Sequence, residues 1–96
     1  MAEADVEIRN PSGLHARPAA MFVRAAGAFA ANVLITNLSR SDQKTASAKS
    51  VLGVMGLAVA RGHRIRIVAE GDDADQAVAQ LAELVASGLG EEIGDT

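Results

Sequence analysis

The feature that most constrains this chain is a hydrophobic period that switches between two and about 3.6 residues. Ala4, Val6 and Ile8 alternate with Asp5, Glu7 and Arg9, the pattern of a strand with one buried face. Asn10-Pro11-Ser12-Gly13 then breaks the run, because proline lacks an amide hydrogen and glycine tolerates positive φ. Over residues 16–30 the spacing turns helical, with Ala19, Phe22, Val23, Ala26, Phe29 and Ala30 on one stripe and Arg24 facing elsewhere. Residues 33–36 read as a second strand rich in β-branched side chains, 44–47 as a short third strand, and 50–57 as a short helix interrupted by glycine. Arg64–Glu70 is a further strand with Ile65, Ile67 and Ala69 on one face. Asp73 and Gln76 stand as an N-cap and its capping-box partner do, ahead of an apolar stripe of Ala74, Ala77, Val78, Leu81, Leu84 and Val85. Gly88 is a natural stop.

The expected order is therefore β-α-β-β-α-β-α. Half-buried strands need one covered face, and singly striped helices need one surface to cover. Packing every helix on one side of an open antiparallel sheet meets both demands. The fold class is α+β, a two-layer sandwich. At 96 residues the chain holds one domain, expected over residues 1–88, with residues 89–96 as an acidic flexible tail.

Composition narrows the chemistry. The sequence has no cysteine and only two histidines, His15 and His63, so no metal centre of the thiolate or histidine-rich kind is expected. Two phenylalanines are the only aromatic residues, which leaves little for stacking nucleic-acid bases. No apolar run is long enough to cross a bilayer and the first residues are acidic, so a cytoplasmic protein without membrane insertion is expected. Charge is segregated: residues 1–66 carry nine cations against four carboxylates, and residues 67–96 carry eight carboxylates and no cation. Such a chain presents a basic side, suited to an acidic or phosphate-bearing partner.

The informative segment is Ser12-Gly13-Leu14-His15-Ala16-Arg17-Pro18-Ala19. Pro18 belongs in a first helical turn, where a missing donor costs nothing, so the helix begins at or near His15. Free amides and the dipole at that end favour negative charge. A phosphoryl group on the imidazole would lie against them and beside Arg17. The dipole is worth about 0.3–1 kcal/mol and a guanidinium at close range about 1 kcal/mol in water. Weak stabilisation at an exposed site suits a group that must be given away. No activating carboxylate, metal cluster or glycine-rich nucleotide loop accompanies His15, which points to a covalent carrier with a phosphohistidine intermediate rather than a complete enzyme.

Gly13-Leu14-His15-Ala16-Arg17-Pro18-Ala19-Ala20 resembles the active-site segment of the HPr family, the histidine phosphocarriers of the bacterial phosphoenolpyruvate-dependent phosphotransferase system. Ala48-Lys49-Ser50-Val51-Leu52-Gly53-Val54-Met55 resembles the family's regulatory-serine helix, and Ala69-Glu70-Gly71 its last strand end. The resemblance covers roughly residues 2–87 and implies the HPr-like open-faced β-sandwich, a four-stranded antiparallel sheet with three helices on one face.

By that resemblance, His15 accepts a phosphoryl group on Nδ1 from phospho-Enzyme I and passes it to an enzyme II A-component in sugar uptake, with no cofactor. Arg17 steadies the transfer, the amides of Ala16 and Arg17 complete the anion site, and Pro18 fixes the helix start. Ser50 matches the family's regulatory serine, the target of an HPr kinase/phosphorylase. Ala20, Arg24, Lys49, Val51, Leu52 and Met55 map to the docking surface of a monomer, whereas Val54 and Leu57 are expected in the core. Ser12 stands where family members often carry other small polar residues, so no specific role is expected of it, and His63 matches no functional position. The alternatives are a regulatory or nitrogen-related HPr paralogue acting by binding, a piece of a multidomain phosphotransferase, or a KH-like RNA-binding module suggested by Gly53-Val54-Met55-Gly56.

Overall fold

The computed structural model describes residues 1–91. Its elements are β1 (Ala2–Glu7), α1 (Ala16–Gly27), β2 (Asn32–Asn37), β3 (Thr45–Ser47), α2 (Val51–Gly56), β4 (Arg64–Glu70) and α3 (Ala74–Ala86). The strands form one sheet in the order β1-β4-β2-β3, antiparallel throughout.

Side-chain alternation sets which face of that sheet is wet. Val33 lies opposite Ala69 and Ile35 opposite Ile67, while Ile65 lies opposite Val6. These residues point to the helical layer, and Val33, Ile35, Ile65, Ile67 and Ala69 are buried. One residue out of phase, Leu34 sits beside Val68 and Ser47 on the uncovered face and is 46% exposed. There Arg66 holds Asp5 of the neighbouring strand at 2.8 Å. Phe22 of α1, Val54 of α2 and Leu81 of α3 close the core from the other side, all fully buried. The result is the expected four-stranded open-faced sandwich with three helices.

Four expectations need correction. The helical stripe ends earlier than residue 30: α1 stops at Gly27, and the chain turns so that the amides of Ala30 and Ala31 each donate to the Asp73 carboxylate at 2.8 Å. Backbone donors leaving a helix need an acceptor, and Asp73 supplies it. Asp73 therefore stands at the N-cap position of α3 but makes no side-chain cap bond, so the expected capping box with Gln76 is not formed.

The acidic tail does not begin at residue 89. Gly88, at φ +97°, reverses the chain, and the Leu89 amide donates to the Leu84 carbonyl at 3.1 Å, satisfying an orphan carbonyl of α3. Leu89 is fully buried. Residues 92–96 lie outside the described residues. Finally, Gly53-Val54-Met55-Gly56 is the body of α2, wound as helix, whereas a KH domain would use that motif as a nucleic-acid-binding loop; the RNA-module reading does not hold. Among the described residues no helix is long and apolar enough to cross a membrane.

Candidate functional site

The site is built where β1 runs into α1. Gly13 adopts φ +61°, and a Cβ there would stand 2.3 Å from the Val59 carbonyl oxygen, so only glycine fits. Leu14, fully buried, anchors the next step by donating its amide to the same Val59 carbonyl at 3.0 Å. With the chain pinned on both sides of this contact, His15 is forced outward. It is exposed, extended at φ −133° and ψ 150°, and stands at the N-cap of α1 without a side-chain cap bond.

Ala16 follows at φ +51°. A left-handed alanine costs about 1–2 kcal/mol, a strain that the pinned loop before it and the buried Pro18 behind it hold in place. No acidic residue occupies the first turn of α1, so the positive end of the helix is not neutralised from within. Arg17 is exposed beside it. An exposed imidazole and an exposed arginine thus stand two residues apart at one helix N-terminus, a combination suited to a transient anion. Among the described residues no cluster of histidine, cysteine or carboxylate side chains is arranged to hold a metal.

α2 lies against α1. Lys49, just before α2, donates from Nζ to the Phe29 carbonyl beyond the end of α1 at 2.7 Å, and Val59, just after α2, meets Leu14 before the start of α1. The two helices therefore run in opposite directions. Ala20 is half-buried and Arg24 exposed on α1. On α2, Leu52 is 84% and Val51 39% exposed, whereas Val54 and Leu57 are in the core, as expected, and Met55 packs partly against it. Lys49 is exposed, but its ammonium is engaged in joining the helices. Ser50 caps α2, its Oγ accepting the Gly53 amide at 3.0 Å. His15 and Ser50 are not brought together: Ser50 lies toward the C-terminal end of α1.

Sequence reasoning missed a group of three. Asn10 is fully buried, and its Nδ2 donates to the Gly13 carbonyl at 2.9 Å and to Glu91 Oε1 at 3.0 Å. The Ser12 amide donates to Glu91 Oε1 at 3.0 Å and its hydroxyl to Oε2 at 2.8 Å. The amide of Asn10, then the amide and hydroxyl of Ser12, then the charge of Arg17 hold the Glu91 carboxyl below the ordinary glutamate range. Asn10 Oδ1 is left buried without a partner among the described residues, a cost of about 1–3 kcal/mol. Both Nδ2 hydrogens are committed to oxygen acceptors, so the amide cannot flip to relieve it. The only sequence signal was the turn-forming composition of residues 10–13; nothing marked their partner at residue 91.

His63 stands apart from this patch. Its Nδ1 accepts the Ala60 amide at 3.1 Å and lies 3.2 Å from Asn37 Nδ2, which makes it a brace of the turn before β4.

The family model described as the PTS HPr component phosphorylation site matches residues 2–87. The chain belongs to the HPr family. The multiphosphoryl transfer protein of Haemophilus influenzae is 45% identical over 86 residues, 90% of this chain but 17% of that protein. The chain thus spans only about a fifth of the multiphosphoryl transfer proteins it matches (17% to 23%). The HPr-like protein Crh of Bacillus subtilis is 40% identical over 88% of this chain and 95% of its own length. Among solved structures, HPr-C-His from Thermoanaerobacter tengcongensis superposes with a TM-score of 0.87 at 42% identity, covering 96% of this chain and 99% of that one. An HPr dimer from the same organism superposes at 0.71, covering 95% of this chain and all of its counterpart. Both free-standing HPr-like proteins and HPr segments of larger multiphosphoryl transfer proteins are thus among its relatives.

Proposed function

We propose that this chain accepts a phosphoryl group on His15 from phospho-Enzyme I and delivers it to an enzyme II A-component in sugar uptake in the cytoplasm. The observation that carries this reading is the placement of His15: exposed, at the head of a helix whose first turn has no acid, with Arg17 beside it. Nδ1 attacks phosphorus and a P–N bond forms as the donor bond breaks. The first amides of α1, at Ala16 and Arg17, and the Arg17 guanidinium hold the charged oxygens, and Pro18 keeps the helix start in place. The site offers no deep cage, so its affinity for the group stays low enough for onward transfer.

Leu52, Val51 and Met55, with Ala20 and Arg24, form the docking face, and Lys49 supports it by joining the two helices. All these residues come from one chain, so a monomer suffices. Ser50 is a site of regulatory phosphorylation by an HPr kinase/phosphorylase, acting through the charge it adds to that face. The likeness to Crh supports a second reading, a regulatory paralogue that works by binding. The intact His15 favours the carrier.

Enzyme I with phosphoenolpyruvate should load one acid-labile, base-stable phosphoryl group per chain. His15→Ala should abolish the label, and a label that persists in that variant refutes the assignment. Binding to regulatory targets with no loading of the native chain would favour the second reading.

A further inference from the structure

Residues 88–91 lie beyond the span of the family model, yet they close over the loop that carries His15. The turn begins at Gly88, buries Leu89 completely, and passes Gly90 so close to α1 that a Cβ there would stand 2.7 Å from Met21 Sδ. It ends with the Glu91 carboxylate gripping Asn10 Nδ2, the Ser12 amide and the Ser12 hydroxyl at 2.8–3.0 Å. We propose that Glu91 is a positioning residue for phosphoryl transfer, latching residues 10–12 so that the loop presents His15 in one orientation. This inference rests on the carrier reading above.

The connection to His15 is short and continuous. Glu91 fixes Asn10 through Nδ2, whose other hydrogen is bonded to the Gly13 carbonyl, and the Gly13 amide donates back to the Asn10 carbonyl at 3.2 Å. Gly13 and Leu14 are in turn seated on Val59. Without Glu91 the loop is held at Ile8, bonded to Gly62 and His63, and at Val59, but residues 11 and 12 between them lose their anchor; with it, that stretch is held as well and the strained Ala16 step is over-determined. A reacting group on a loop reaches the precision of a rigid element only when its supports are themselves locked. Three hydrogen bonds to an ionised acceptor provide that lock. The Glu91 carboxylate is ionised at neutral pH, and the hydrogen bonds of Asn10 and Ser12, with the charge of Arg17, extend that charged form to lower pH.

The test uses the 96-residue chain with Glu91→Ala, Glu91→Gln and Ser12→Ala, reading Ser12 amide hydrogen exchange and the kinetics of loading from phospho-Enzyme I. In Glu91→Ala the Ser12 amide should exchange about ten-fold faster or more, and kcat for loading should fall roughly three- to ten-fold while KM for Enzyme I stays within about two-fold. Glu91→Gln, which keeps an acceptor oxygen for the Ser12 amide, should recover most of kcat, and Ser12→Ala should fall between. Unchanged exchange in Glu91→Ala overturns the latch. Faster exchange with unchanged kcat, or a loss confined to KM, overturns the positioning role. A native chain that is never loaded defeats the carrier reading and this inference with it, whereas a loaded native chain matched by Glu91→Ala defeats this inference alone.

Discussion

At the scale of single residues, the site depends on side chains that are missing as much as on those present. Gly13 has no Cβ because the Val59 carbonyl occupies its place, 2.3 Å away. Gly13→Ala combines a left-handed φ with a backbone collision, and a loss of about 2–3 kcal/mol is expected from the urea midpoint, with a parallel drop in His15 loading. A stability equal to the native chain's would mean that the loop relaxes away from Val59. The helix start at His15 was legible in the sequence because Pro18 and the glycine before it answer to local rules about helix starts. Asn10, Ser12 and Glu91 were not, because the bonds that define them join residues 79 and 81 positions apart. No local pattern encodes such a pairing.

At the scale of elements, β1, α1, β4 and α3 were legible from their periods, whereas β2 was read from its β-branched residues and β3 and α2, three and six residues long, are too short to show one; the errors fell at ends. α1 was read too long because Phe29 continues the apolar spacing, although Asp73 captures the amides that follow. Two residues past the end of α2, an alanine stands where a glycine would be at ease: Ala58 sits at φ +55°, its amide bonded to the Met55 carbonyl. Ala58→Gly should therefore raise stability by about 0.5–1 kcal/mol in the same denaturation assay, relief of the left-handed strain exceeding the added chain entropy. The outward face of α2 gives a different expectation. Leu52 is 84% exposed, so Leu52→Ser should leave stability within about 0.5 kcal/mol. If that face docks partners, the same variant should raise KM for Enzyme I several-fold without lowering kcat; a change in stability instead would assign Leu52 to packing.

At the scale of the whole molecule, carboxylates join parts of the chain that are distant in sequence. Asp5 is held below the ordinary range by its hydrogen bond to Arg66, Asp73 by the Ala30 and Ala31 amides, and Glu91 by Asn10 and Ser12. Each carboxyl binds its proton less readily folded than unfolded. The stability it contributes is therefore complete above the unfolded value and is lost as pH falls through the folded one. The urea midpoint should be nearly independent of these groups from neutral pH down to about 5 and should decline progressively below about 4. Asp73→Asn should lower the neutral-pH midpoint and flatten that acid slope; an unchanged slope would remove Asp73 from the acid response.

The opposed directions of α1 and α2 bear on how two chemistries can share one surface. The twelve residues of α1 measure about 18 Å, while mobile ions in the cell attenuate an exposed charge over about 8 Å. A phosphate on Ser50, at the start of α2, would thus act chiefly on a protein broad enough to cover both helices. On the carrier reading, reactivity at one end and admission at the other could then be adjusted separately.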